Sequence, residues 1–81
     1  MILVDIYVPS VNEQYDFKVD ENAYIANVVE EIGDILTAGH TKKEDAVRDL
    51  ILCDAGRGAI LPMDQTLKQN GIGNGSRLML I

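Results

Sequence analysis

Tryptophan is missing from this chain, and Cys53, His40 and Phe17 are each the sole residue of their kind. One cysteine forms no internal disulfide, which fits a reducing compartment. One cysteine and one histidine fall short of the roughly four ligands a zinc site takes. They also fall short of the four thiolates an iron–sulfur cluster takes. A nucleophile needs a base within reach and a third group to orient that base. His40 lies in a charged stretch and Cys53 in an apolar one, so neither a catalytic site nor a cofactor is expected. Basic residues are scarce as well: 7 stand against 13 acidic ones, for a net charge of −6. Nucleic acid and anionic membrane surfaces both want clustered Lys and Arg, so neither is an expected partner. Apolar runs stop at four residues, against the roughly 20 of a membrane-spanning helix. The start, Met1-Ile2-Leu3-Val4-Asp5, has no basic region and no leader-like apolar stretch, so a cytoplasmic location is expected.

What is present is an ordinary globular composition: 47% hydrophobic and 25% charged residues in 81. The length predicts one domain over residues 1–81, with a thin core, since such a chain buries only about 60% of its unfolded surface. Ile2, Val4, Ile6 and Val8 alternate as one β-branched face, the mark of a strand. Pro9, Ser10 and Asn12 turn the chain into a second alternating run, Tyr15, Phe17 and Val19, which completes a hairpin.

Asp20-Glu21-Asn22 reads as a helix start, by side-chain capping and by acid at the positive end of the dipole. Ile25, Val28, Val29, Ile32, Ile35 and Leu36 then form one apolar stripe, with Asn27, Glu30, Glu31 and Asp34 on the wet side. Gly33 marks a close approach to the sheet or nothing at all, and Gly39 is a reasonable stop. Residues 40–49 are highly charged, and Thr41 with Glu44 has capping-box spacing for a short second helical turn. Leu50-Ile51-Leu52-Cys53 predicts a third strand, Ala55-Gly56-Arg57-Gly58 a tight turn, and Ala59-Ile60-Leu61 a brief edge strand ended by Pro62. Residues 64–72 read as a compact loop with a helical turn. Gly73-Asn74-Gly75-Ser76 is turn chemistry before a last strand, residues 77–81. Gly71, Gly73 and Gly75 precede a strand, whereas a phosphate loop follows one and opens a helix. The order β-β-α-β-β-β needs the helix to lie across one face of a mixed sheet, an α+β arrangement.

The stretch from Gln65 to Leu80 resembles the ubiquitin-like β-grasp pattern: Thr66-Leu67, then Gly71-Ile72, then Gly75, Leu78 and Leu80, with Ser76 where an Asp is usual. Tyr24 to Val28 is similar to the start of that family's helix. Within the superfamily the chain looks most like the small bacterial YukD-like proteins. That resemblance implies a cytoplasmic accessory or regulatory role in type VII protein secretion of Gram-positive bacteria, with a protein partner among the secretion components. Conjugated modifiers and sulfur carriers of this fold end in a Gly-Gly tail, whereas this sequence ends at Ile81. Neither role is expected.

If Ile2, Val4, Ile6, Val8, Leu50, Leu52, Leu78 and Leu80 point inward, the open sheet face carries Leu3, Tyr7, Ile51, Met79 and Ile81. A contiguous apolar patch rimmed by polar residues marks an interaction site. These five residues are the expected protein-binding surface. The alternative is a self-associating structural module, unrelated to secretion, whose sheet faces pair as a homodimer.

Overall fold

A computed structural model describes residues 1–36 and 50–81. The strands are β1 (Ile2–Val8), β2 (Glu13–Val19), β3 (Leu52–Asp54), β4 (Ala59–Ile60) and β5 (Arg77–Leu80), and the helix α1 spans Ile25–Leu36. A single 3-10 turn covers Lys68–Asn70. The strands form one sheet in the order β2-β1-β5-β3-β4. β1 and β5 run parallel at its centre, and the other neighbours are antiparallel. This is a β-grasp: a mixed sheet wrapped around one helix.

The core follows the alternation. Ile2, Val4, Ile6 and Val8 of β1, Leu52 of β3, and Leu78 and Leu80 of β5 are all buried. They meet Ile25, Val28, Val29 and Ile32 on the inner face of α1. Leu67, Ile72 and Leu61 complete the cluster from the loops. Gly33 is buried on the same side of α1. The stripe departs from expectation at its end, because Ile35 is 54% exposed and Leu36 only half-buried. Ten residues at 3.6 per turn carry Ile35 well off the direction of Ile25.

The start of α1 also differs from the sequence reading. Asp20 and Asn22 close a local turn instead of capping, with the Asn22 N–H donating to Asp20 Oδ1 at 2.9 Å. The first helical N–H groups find partners far along the chain. Ile25 donates to the Gln65 carbonyl at 2.8 Å and Ala26 to the Met63 carbonyl at 3.1 Å. The orphan donors of a helix start need acceptors of some kind, and here the loop before the 3-10 turn supplies them. β3 begins two residues later than predicted and takes in Asp54. The expected helical turn at Thr41–Glu44, Gly39 and His40 lie outside the described residues.

Candidate interaction surface

The register decides which outward side chains become neighbours. Tyr7 pairs with Met79, Met79 with Cys53, and Cys53 with Ile60. An apolar row therefore crosses four strands on the face away from α1. Ile51 and Ile81 extend it one step further. Each donates its N–H to the other's carbonyl, at 2.6 and 2.9 Å, so their side chains stand together. Ile51 is 38%, Ile81 50% and Ile60 67% exposed, while Tyr7, Cys53 and Met79 are half-buried by their neighbours. Tyr7 is steadied by its hydroxyl, which donates to Asn12 Oδ1 at 2.9 Å. Asn12 itself takes the left-handed backbone that ends the hairpin turn, with φ at 52°.

Four of the five expected surface residues thus come together. Leu3 does not join them. It sits four residues from Tyr7 along β1, about 13 Å at strand spacing. Between the two lies a charged band in which Asp5 is flanked by Asp16 on β2 and Arg77 on β5. Leu3 belongs instead to the opposite end of the sheet, where its N–H donates to Asn74 Oδ1 and its carbonyl accepts from Gly75. Ile60 was missed as a surface residue. Its signal was present, since an inward Leu61 turns its neighbour Ile60 outward.

Beside the sheet face, one buried polar cluster was not foreseen. Asp54, 8% exposed, accepts from the Gly56 and Arg57 backbones and takes an ion pair from Arg57 Nε at 2.7 Å. Arg57 also donates to the Asn70 carbonyl, fastening the β3–β4 turn to the 3-10 turn. The Arg57 side-chain hydrogen bond holds the Asp54 carboxyl below its ordinary pKa against the opposing effect of burial. The arrangement is a brace: the Asp54 carboxylate accepts from Arg57 and from two backbone N–H groups, and Arg57 carries the link on to Asn70. Among the described residues, no three His, Cys, Asp or Glu side chains gather as a metal site.

Comparison with solved structures finds ubiquitin-like folds. An N-terminal ubiquitin-like domain solved in solution aligns at 25% identity and a TM-score of 0.75, over 99% of this chain and 72% of that one. The ubiquitin of Caldiarchaeum subterraneum aligns at 17% identity and a TM-score of 0.74, over 99% and 90% of the two chains. A ubiquitin-like domain of an Arabidopsis thaliana protein aligns at 21% and 0.70, over 99% and 74%. Comparison with curated protein sequences gives no match. A family model described as "WXG100 protein secretion system (Wss), protein YukD" matches residues 2–80. With nearly every residue inside that match, the chain belongs to the YukD family, the ubiquitin-like, non-catalytic accessory proteins of WXG100, or type VII, secretion.

Proposed function

We propose that this YukD-family chain acts in the cytoplasm as an adaptor, holding a component of the secretion machinery against its open sheet face. The contact is made by Tyr7, Ile51, Met79 and Ile81, with Cys53 and Ile60 in the same row and Leu3 as an outlying contact. One observation carries the reading: the apolar row crosses four strands without a charged side chain in it. Apolar groups gathered in one patch favour a partner, whereas scattered ones are ordinary surface.

Affinity capture from cytoplasm and membrane extract, read by mass spectrometry, tests this. Wild type is expected to retain secretion components that an Ile51→Glu, Met79→Glu variant loses while keeping its circular dichroism. Equal capture by both proteins removes the sheet face as the site.

A second reading is favoured by charge. Asp5 and Asp16 on this face are offset by Lys18 and Arg77, so the face is neutral in a chain of net −6. Two copies could therefore pair here without mutual repulsion. A sedimentation coefficient that rises with concentration for wild type, and stays monomeric for the same double variant, supports self-association.

A further inference from the structure

The two edges of the sheet are unlike. β4 is two residues long and is closely followed by Pro62, a poor template for further pairing. β2 runs for seven residues with no proline, and its register against β1 is unbroken from Ile2–Val19 to Val8–Glu13. Among the described residues, no strand pairs with its outer side. In β1, the Asp5 N–H donates to Ser76 and the Leu3 carbonyl accepts from Gly75, so odd-numbered residues of β1 direct their backbone toward β5. Even-numbered residues then face β2 and hold Glu13, Tyr15, Phe17 and Val19. The N–H and C=O groups of Gln14, Asp16 and Lys18 are left pointing outward, and no described residue bonds to them. β2 is neither short nor broken by proline or a bulge, and no described helix lies over its edge; of the usual guards it carries only charged side chains, Glu13, Asp16 and Lys18.

We propose that this β2 edge receives an extended peptide segment of a partner protein that alternates basic and apolar residues. The edge backbone is distinct from the apolar row and does not depend on it, while the side chains of Gln14, Asp16 and Lys18 that flank the edge stand on the open face. Backbone pairing supplies affinity in strand addition, and alternate side chains supply selectivity. On the open side of the added strand, every second residue stands beside Gln14, Asp16 and Lys18. Asp16 opposes Asp5 in a pair without mutual backbone bonds, the geometry that brings side chains closest. Like charges so placed repel. Gln14 Nε2 donates to both Asp5 oxygens, at 3.3 and 3.2 Å, while Asp16 has no such partner among the described residues. Asp5, Gln14, Tyr15 and Asp16 line an open depression of about 220 Å³, room for a basic group between the carboxylates. On the other side of the added strand, alternate residues meet the half-buried rings of Tyr15 and Phe17, whose centroids lie 5.8 Å apart. Antiparallel self-pairing centred on Asp16 sets Asp16 against Asp16 with both Asp5 carboxylates alongside, whereas centring on Phe17 sets Asp16 against Lys18, so a second copy is the rival occupant that the test separates from a foreign, basic strand.

The test uses the full chain, isotope-labelled for NMR, and a capped octapeptide of alternating valine and arginine. Binding is expected to slow hydrogen exchange at the Gln14, Asp16 and Lys18 amides. A valine–glutamate peptide should bind at least tenfold more weakly. N-methylation of the valine–arginine peptide at alternate residues, made in both phases, should cost at least tenfold in at least one phase. Asp16→Lys should weaken binding at least tenfold, whereas Asp64→Lys, the same charge change in a distant loop, should not. The proposal is overturned if both methylated peptides bind like the parent, if the protected amides lie elsewhere, or if Asp64→Lys acts as strongly as Asp16→Lys. It is equally overturned if the three amides become protected in the protein alone as concentration rises, which would make a second copy the occupant.

Discussion

Asp54 is the single buried ionisable residue in the described core, and its neighbours explain how it is tolerated. A buried carboxylate is costly unless paired and hydrogen-bonded, and this one accepts from two backbone N–H groups and from Arg57. Asp54→Ala is expected to cost about 2 kcal/mol, since it strands those donors and frees Arg57 from the 3-10 turn. Urea denaturation at pH 7 checks the size. The sign of the pH dependence follows from the lowered pKa. A carboxyl with a depressed native pKa contributes full stability above its unfolded value of about 4. That contribution fades as pH falls through the native value. Acid titration of wild type and Asp54→Asn should therefore show converging stabilities below about pH 4, with wild type the more stable above it. Gly75 is one of three glycines, with Gly58 and Gly71, whose left-handed backbone disfavours any side chain. Its φ of 81° is strained for any side chain, although a Cβ there would meet nothing within 4 Å. Gly75→Ala should therefore cost about 1 kcal/mol from backbone strain alone, measurable as a shift in the urea midpoint.

Among the elements, the two helical segments hold each other in place. Thr66 and Gln69 form a reciprocal box: the Thr66 N–H donates to Gln69 Oε1 at 2.8 Å, and the Gln69 N–H to Thr66 Oγ1 at 3.1 Å. That box fixes the loop whose Met63 and Gln65 carbonyls receive the first N–H groups of α1. The Lys68 N–H in turn donates to the Glu21 carbonyl at 2.9 Å. Thr66→Ala is expected to cost about 1 kcal/mol and to speed amide exchange at Ile25 and Ala26, a remote effect that a purely local cap would not produce. At the other end of α1, acidic residues crowd the negative end of the helix dipole and no basic residue lies in its last turn. Glu31→Lys should raise stability by about 0.5 kcal/mol in a low-salt thermal melt. The sequence made the strands legible because alternation needs only neighbours in the chain. Ile2 to Val8 and Arg77 to Leu80 announce both their type and their buried face. The start of α1 was not legible, since its acceptors lie about 40 residues away and leave no local trace. Asp54 lay outside the predicted strand for the same reason: what lets it end a strand in the core is Arg57, whose aim depends on the turn between them. Of the expected surface, Tyr7, Met79, Ile51 and Ile81 were readable from parity. The separation of Leu3 was not, because it follows from the parallel register that sets Arg77 beside Asp5.

At the scale of the whole molecule, charge is unevenly shared, and this separates the two proposed contacts. The four charged groups on the open face of β1, β2 and β5 cancel, and the apolar row beside them has none. A partner seated on that row is held by burial of apolar surface, which salt leaves largely intact. A basic strand on the β2 edge is drawn by exposed carboxylates, whose reach contracts from about 10 Å at 0.1 M salt to about 3 Å at 1 M. Ionic strength should therefore divide the two. Raising sodium chloride from 0.05 to 0.5 M is expected to weaken the valine–arginine peptide at least fivefold, while capture of the sheet-face partner changes less than twofold. The Ile51→Glu, Met79→Glu variant, whose substitutions lie away from β2, should lose the captured partner and keep its peptide affinity at both salt concentrations. Asp16→Lys should do the reverse. If either variant abolished both contacts while still folded, the two surfaces would be one site, and the partner would have to wrap from the sheet face around the β2 edge.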